Sequence, residues 1–143
     1  KLVTYQHRQS LVMALQGKLE MEIAQLDLDE AAVFMEEFGI SEPALDRMIR
    51  ASYDLVGLQS FFTVGEDEVR AWTVRKGATS VEAAGAIHSD LARGFIRADV
   101  VTYDDLMSVG GSMAEARKAG KARLEGKEYL VQDGEILHVR FAL

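Results

Sequence analysis

Three Gly-Lys pairs are the residues of this chain that come nearest to a phosphate-binding loop. They lie at Gly17-Lys18, Gly120-Lys121 and Gly126-Lys127. Such a loop needs another glycine five residues earlier and a serine or threonine after the lysine, because its amides and lysine cradle phosphates and its hydroxyl reaches magnesium. The residues five positions earlier are Val12, Glu115 and Lys121, and those after the lysines are Leu19, Ala122 and Glu128. We therefore predict no phosphate-binding loop in this chain.

Other arrangements that catalyse reactions or bind metals are also incomplete. Gly110-Gly111-Ser112-Met113-Ala114 departs from the Gly-x-Ser-x-Gly elbow of serine hydrolases, and Ser112 with Glu115 is typical of a helix cap. We interpret His88, beside Asp90, as a half-buried histidine with its hydrogen bonds satisfied. No cysteine is present, and the histidines lack ligand partners at metal-binding spacing: His7, His88 and His138. We predict no catalytic residue and no metal ligand.

Nine basic residues are candidates for contact with a phosphate-bearing partner. Five lie within eleven residues of each other and four lie near the first predicted hairpin and helix end: Arg117, Lys118, Lys121, Arg123 and Lys127, then Arg75, Lys76, Arg93 and Arg97. Each lysine or arginine that neutralises a phosphate adds to the salt dependence of binding. The alternative interpretation is the solvated surface of a soluble protein, since charge runs are common there.

Composition limits the class of protein. The chain has 143 residues, of which 48% are hydrophobic, and this suits one domain, or one small domain with a helical extension. A net charge of -7 argues against broad binding to nucleic acid, so we expect no DNA partner. Residues 1–56 carry 5 basic and 10 acidic side chains, whereas residues 57–143 carry 11 and 13. Any contact with nucleic acid is therefore expected in the second half.

The apolar runs and the first residues of the chain indicate the cellular compartment in which the protein is expected. No run reaches the roughly 18 apolar residues of a membrane span, and no signal peptide opens the chain. We therefore expect a cytoplasmic protein without a membrane partner. Because the sequence begins at Lys1 without an initiator methionine, we also expect it to be a fragment.

The first elements that could position a site are a strand and a helix. The apolar run at residues 10–15 favours a buried strand, and a helix from Lys18 would place Leu19, Ile23 and Leu26 on one face. Since one strand cannot pair with itself, we expect this part to complete a sheet that lies elsewhere.

Two more helices are predicted before residue 57. Asp27 with Glu30 has the form of a capping box, and Gly39 suits the end of that helix. Ser41 is expected to cap the next helix, with Pro43 tolerated in its first turn.

Residues 57–101 are predicted to form a hairpin, a helix and a third strand. Residues 58–64 and 69–74 alternate with period two around a turn at residues 65–68. Thr79 with Glu82 predicts a capping box for a helix that continues through His88 to Gly94, and residues 95–101 form the next strand. Gly85 is expected to let this helix approach the sheet closely.

The remaining residues predict two short helices and a second hairpin. The helices would begin at Thr102 and Ser112, and residues 129–132 would pair with residues 135–142 about Asp133-Gly134. This order of elements is typical of a β-grasp module, so we predict the α+β class with a β-grasp fold.

Several runs carry a resemblance to a known family. FFTVGEDEVRAWTVRKG (61–77), EAAGAIHSDLARGFIRADVV (82–101) and AGKARLEGKEYLVQDGEILHVRF (119–141) resemble the C-terminal TGS domain of the YchF, or Obg-like, ATPases. ISEPALDRMIRASYDLVGLQSFF (40–62) and KLEMEIAQLD (18–27) resemble the last strand and helices of the nucleotide-binding domain of that family. The similarity covers nearly all of residues 11–143.

The resemblance implies two parts with different roles. Residues 1–56 would be the end of a P-loop nucleotide-binding domain, and residues 57–143 a TGS domain with a β-grasp fold. The parent would be a translation-associated ATPase or GTPase that holds ATP or GTP with magnesium outside this chain. Its partners would be the ribosome, ribosomal RNA or transfer RNA, and its own nucleotide-binding domain. Within this chain, only the loop of Gln16, Gly17 and Lys18 would lie near the nucleotide.

A second hypothesis belongs to another functional class. A β-grasp sheet or its exposed edge strand can bind a protein partner, or regulate a neighbouring ATPase domain by docking, without direct contact to RNA. The two hypotheses differ in the salt dependence of binding.

Overall fold

The computed structural model describes residues 9–65 and 67–143, so His7 and the turn residue Glu66 lie outside the described residues. The chain divides into two compact units, with the boundary between Val56 and Gly57. We call the first the helical unit and the second the sheet unit.

The helical unit contains three helices: α1 (Gly17–Ile23), α2 (Leu28–Glu37) and α3 (Ala44–Val56). Helix α2 begins where the sequence predicts, because Asp27 Oδ1 accepts a hydrogen bond of 2.9 Å from the N–H of Glu30. It ends before Gly39, whose φ of 65° lies in the left-handed region that favours glycine.

Three predictions for the helical unit are wrong. Residues 10–15 form no strand, because every strand in the described part of the chain lies in the sheet unit and none is available to pair with them. Leu26 lies beyond the end of α1. Ser41 does not cap α3, which begins at Ala44; the N–H of Ala44 donates instead to Glu20 Oε2 at 2.8 Å, so a carboxylate satisfies this helix start.

The sheet unit is built on five strands: β1 (Leu58–Val64), β2 (Val69–Arg75), β3 (Phe95–Val101), β4 (Arg123–Glu125) and β5 (Ile136–Phe141). Their spatial order is β2-β1-β5-β3-β4. Strands β1 and β5 pair in parallel at the centre, with Phe62 opposite Ile136, and the other pairs are antiparallel. This mixed sheet with its covering helices confirms the predicted α+β class and β-grasp fold.

One face of the sheet packs against helices α4 (Ser80–Ile87) and α5 (Ser89–Arg93). The predicted capping box is complete, since Thr79 Oγ1 accepts from the N–H of Glu82 and the Glu82 carboxylate accepts from the N–H of Thr79. Side chains that are fully buried form the core between these layers: Phe61, Ala83, Ala84, Ala98 and Val100. We call this the helix-covered face.

The helix after Thr79 is not continuous, contrary to prediction. His88 has an extended backbone between α4 and α5, and its Nδ1 accepts from the N–H of Asp90 at 3.1 Å, which starts the second helix. The His88 side chain is therefore 65% exposed rather than half-buried. Gly85 was expected to approach the sheet, but a Cβ there would lie 3.4 Å from Ala92 Cβ of α5. That distance is an ordinary van der Waals contact, and no atom of the sheet lies within 4 Å of the Cβ position, so glycine is not needed here for close approach to the sheet.

The opposite face carries helices α6 (Tyr103–Met107) and α7 (Met113–Lys118). Thr102 and Ser112 cap them as predicted, by accepting hydrogen bonds from Asp105 and Glu115. The two helices cover only part of this face, where they form a second core: Val101, Leu106, Met113, Ala116 and Ile136. We call this side the partly covered face.

The second predicted hairpin is wrong. The turn at Asp133-Gly134 is present, and Asp133 Oδ1 accepts from the N–H of Ser60 at 2.9 Å, but residues 129–132 do not pair with β5. Strand β5 already has β1 on one side and β3 on the other. The preceding segment bonds instead to the chain before α4, where the N–H of Val131 donates to the carbonyl of Ala78 at 3.0 Å.

Candidate functional site: an arginine cluster on the sheet

Two arginines meet around one carboxylate on the partly covered face, and a third arginine lies on the same face. Arg97 lies on β3, Arg140 on β5 and Arg117 on α7, and we call these three residues the arginine cluster. Arg140 donates two hydrogen bonds to Asp99, from Nε to Oδ2 at 2.9 Å and from Nη2 to Oδ1 at 2.7 Å. Arg117 Nη2 lies 2.8 Å from Asp99 Oδ2. The carboxylate thereby fixes two guanidinium groups side by side.

The carboxylate at the centre is buried, whereas the two arginines that bind it are partly exposed. The Asp99 side chain is 4% exposed, whereas those of Arg117 and Arg140 are 35% and 47% exposed. Burial opposes ionisation of Asp99, but the hydrogen bonds and charges of Arg140 and Arg117 outweigh it and hold the pKa of Asp99 below its usual value. Two arginines against one carboxylate leave one positive charge in excess, and Arg97, which is exposed on the same face, adds another.

Arg97 is the member of the cluster without a carboxylate partner among the described residues. In the register of β3 and β5 it lies directly opposite Arg140, and Asp99 lies directly opposite His138. Like charges placed opposite each other on one face of a sheet are unfavourable. The Arg97–Arg140 pair therefore adds no stability to the sheet by itself.

His138 completes the surroundings of Asp99. Partial burial, followed by the positive charge of Arg117 and then of Arg140, lowers the pKa of His138 against the opposing effect of Asp99. The imidazole is consequently neutral at neutral pH and adds no further charge.

Most other predicted contact residues are held by acidic side chains. Arg123 reaches Glu135 and the hydroxyl of Tyr129, on the helix-covered side of the sheet. The remaining pairs are Lys121 with Asp105 at 3.2 Å, Lys118 with Glu115 at 2.6 Å and Arg93 with Asp90 at 2.7 Å. The compact basic run in the sequence thus separates into different pairs in space, of which only Arg117 joins the cluster.

Three predicted contact residues belong to none of these pairs. Arg75 ends the edge strand β2, Lys76 follows it, and Lys127 follows β4; all three are exposed. Sequence reasoning missed Arg140. The signal that marks it is the alternation along β5, where His138 and Arg140 share one face while Leu137 and Val139 face the core.

An apolar groove lies elsewhere on the partly covered face. It has a volume of about 650 Å³ between β1, β2 and α6, and its walls include Phe62, Val64, Val69, Tyr103 and Met107. Val69 and Tyr103 are 69% and 63% exposed. This surface is chemically distinct from the arginine cluster.

Comparison with known proteins identifies the family. The family profile YchF-GTPase_C, described as a protein of unknown function (DUF933), matches residues 58–142, which is more than half of the chain. The chain belongs to the YchF family. Its match region coincides with the sheet unit that carries the arginine cluster.

Relatives in the YchF family match both units. The chain is 57% identical over 130 residues to the ribosome-binding ATPase YchF of Bacillus subtilis, which covers 91% of this chain and 35% of that protein. It is 42% identical to Obg-like ATPase 1 of Gallus gallus, covering 92% of this chain and 33% of that protein. The YchF GTPase structure from Schizosaccharomyces pombe superposes with a TM-score of 0.68 at 34% identity, covering 83% of this chain and 31% of that one. The chain thus spans about a third of the length of these relatives.

The residues expected near a nucleotide in a YchF parent lie at the start of the helical unit. Gln16 immediately precedes α1, and Gly17 and Lys18 are its first two residues; all three are exposed. Gln16 also borders a cavity of about 210 Å³ whose walls include Phe38, Ser41 and Arg47.

Two other kinds of site are absent from residues 9–65 and 67–143. No group of three or more histidine, aspartate or glutamate side chains there is arranged to hold a metal ion. In the same residues, every helix is too short or too polar to cross a bilayer.

Proposed function

We propose that this chain is the ribosome-contacting region of a translation-associated ATPase or GTPase of the YchF family. The sheet unit is its TGS domain, and it contacts ribosomal RNA or transfer RNA. The helical unit is the end of the nucleotide-binding domain, and Gln16, Gly17 and Lys18 approach the nucleotide. ATP or GTP with magnesium is held by the part of the parent outside this chain, and the protein acts in the cytoplasm with ribosomes.

The arginine cluster is the observation that carries this proposal. Its excess positive charge faces solvent on a rigid sheet, within a chain whose net charge is -7. Arginine suits phosphate because its planar guanidinium donates hydrogen bonds in a fixed fork. Relatives named as ribosome-binding ATPases support the choice of partner.

Cosedimentation of residues 1–143 with ribosomes across a range of salt concentrations tests the proposal. Three phosphate contacts predict a slope of roughly -2 in a plot of log binding constant against log salt, since each contact on single-stranded RNA contributes about 0.7. Ribosomal RNA freed of protein should bind with a similar slope. A flat salt profile would contradict RNA contact and favour docking to protein, for which the apolar groove is an exposed surface.

A further inference from the structure

The environment of Arg97 differs from that of an ordinary surface arginine. Its Cα lies opposite that of Arg140 across the β3–β5 pair, on the face that also carries Asp99. Asp99 bonds Arg140 and Arg117, and no described carboxylate pairs with Arg97. Like charges placed directly opposite each other across two strands are unfavourable. Anions bound on this face would offset this repulsion.

The neighbouring backbone leaves room for the Arg97 side chain. Regular pairing of β3 with β5 is interrupted between Phe95 and Arg97, and such irregularities redirect side chains and often lie beside functional sites. Gly126 follows β4, and a Cβ at that position would lie only 3.1 Å from Arg97 Nη1. Any larger residue at Gly126 would therefore displace the guanidinium group.

Donors for a ligand remain after Asp99 is satisfied. A guanidinium group has five N–H donors; Arg140 uses Nε and Nη2, and Arg117 uses Nη2. Because Asp99 holds both groups in place, a ligand would order fewer side chains on binding. Arg123 provides the contrast, since Glu135, Tyr129 and Glu125 surround it.

We propose that Arg97, Arg117 and Arg140 form a binding site for neighbouring phosphate groups of an RNA backbone, and that Asp99 is its positioning residue. The RNA part of this inference rests on the proposed function. The site takes backbone phosphates by its charge and geometry, without reading the base. This proposal adds Arg140 as a contact residue and Asp99 as a positioning residue, and it leaves Lys118, Lys121 and Arg123 outside the site.

Direct binding of phosphate tests the site without any ribosome. In NMR spectra of the labelled chain, titration with inorganic phosphate at constant ionic strength should shift the side-chain Nε–Hε signals of Arg97, Arg117 and Arg140. The corresponding signal of Arg50, which is exposed and paired with Glu42 in the helical unit, should not move. Equal shifts at all four arginines, or none at millimolar phosphate, would overturn the site.

Binding of a short labelled single-stranded RNA tests the role of the site. Arg97→Ala should weaken binding about fivefold or more and reduce the salt slope by about 0.7, because one phosphate contact is lost. Arg50→Ala makes the same change in net charge and should leave the affinity and slope nearly unchanged. If RNA binding is salt-dependent but the two variants behave alike, the proposed function stands and the site is refuted. If no RNA binds at all, the proposed function fails, and the phosphate titration still decides the site.

The Asp99→Asn variant distinguishes a positioning role of Asp99 from an effect of net charge on RNA binding. Removing a negative charge would strengthen RNA binding if net charge alone mattered. We expect weaker binding instead, because Arg117 and Arg140 lose the acceptor that orients them, and we expect Asp99→Glu to recover part of the loss. The fluorescence of Trp72, the single tryptophan, and the melting transition report whether each variant is folded. Tighter RNA binding by a folded Asp99→Asn variant would refute the positioning role.

Discussion

Asp99 is also the residue whose replacement should most clearly link the arginine cluster to stability. Its carboxylate is 4% exposed and accepts hydrogen bonds of 2.7 to 2.9 Å from Arg140 and Arg117. Asparagine has nearly the same shape, but its amide N–H₂ group would face a guanidinium group, placing donor against donor. The substitution Asp99→Asn therefore removes most of this interaction without leaving a cavity.

The expected loss of unfolding free energy is about 2 kcal/mol at neutral pH. Hydrogen bonds to charged groups contribute roughly 1.5–3 kcal/mol each when buried, whereas exposed ion pairs contribute about 0.2–1 kcal/mol. Since Arg117 and Arg140 are 35% and 47% exposed, solvent screening places the pair of contacts between these limits.

The effect should depend on pH in a defined direction. The folded-state pKa of Asp99 is lowered, so its stabilisation is present above the unfolded-state pKa of about 3.9 and is lost as pH falls through the folded-state value. The difference in unfolding free energy between wild type and Asp99→Asn should consequently shrink below about pH 4. Glu82, bonded to Thr79, and Asp105, bonded to Thr102 and Lys121, also have lowered pKa values, but they titrate in both proteins and cancel in the difference.

Urea unfolding followed by Trp72 fluorescence measures these quantities, because Trp72 lies in the sheet unit and donates a hydrogen bond to Thr63. Asp90→Asn is the matched control: Asp90 forms an exposed pair with Arg93, and its replacement should change stability by less than about 1 kcal/mol. A difference between wild type and Asp99→Asn that is negligible at neutral pH, or constant into acid, would refute the reasoning.

Three further predictions concern other features of the sheet unit. Gly94→Ala should lower the unfolding free energy by about 2 kcal/mol in urea, because the new Cβ would clash with the carbonyl oxygen of Ala142. Gly85→Ala in α4 should be neutral or stabilising by up to about 1 kcal/mol, since its Cβ has room; equal effects of the two substitutions would contradict the packing described. Thr79→Ala should lower the unfolding free energy by about 1 kcal/mol through loss of the capping box, with Thr79→Ser retaining most of it, as thermal unfolding by circular dichroism would show. Burial and the hydrogen bond to Glu135 raise the pKa of Tyr129 to about 12, so an ultraviolet titration should show one late tyrosine that Tyr129→Phe removes; a titration unchanged in that variant would place the late tyrosine elsewhere.

The elements that the sequence predicts well are those with a local cause. Thr79 with Glu82, Thr102 with Asp105 and Asp27 with Glu30 each create a helix start within four residues, and all three appear in the structure. Strand β3 also has the predicted bounds, because an apolar run follows directly after the helix stop at Gly94.

The predictions that fail depend on partners distant in sequence. Residues 129–132 alternate like a strand, yet the places beside β5 are occupied by β1 and β3. Ser41 has the form of a cap, but Glu20, 24 residues before Ala44, satisfies the start of α3. Neither competition is visible in a local pattern.

Predictions for the candidate site also depend on whether the partner of a residue is near it or distant in sequence. The sequence draws attention to Arg117, Lys118 and Lys121 because they are close along the chain, but Lys118 and Lys121 pair with Glu115 and Asp105. Arg140 lies 41 residues from Asp99 and is recognisable only when the β3–β5 register is known. Whether these arginines contact RNA is a prediction for the experiments above.

The parallel pairing of β1 with β5 has a consequence for biosynthesis. Phe62 and Ile136 are neighbours at the centre of the sheet but enter the chain 74 residues apart, so the core around Phe61 cannot close until β5 has left the ribosomal exit tunnel. The β1–β2 hairpin forms from local contacts and therefore spends that interval with an apolar face uncovered. Acquisition of the native sheet during translation should accordingly be a late, single step, with nascent chains that stop before Ile136 remaining sensitive to proteolysis.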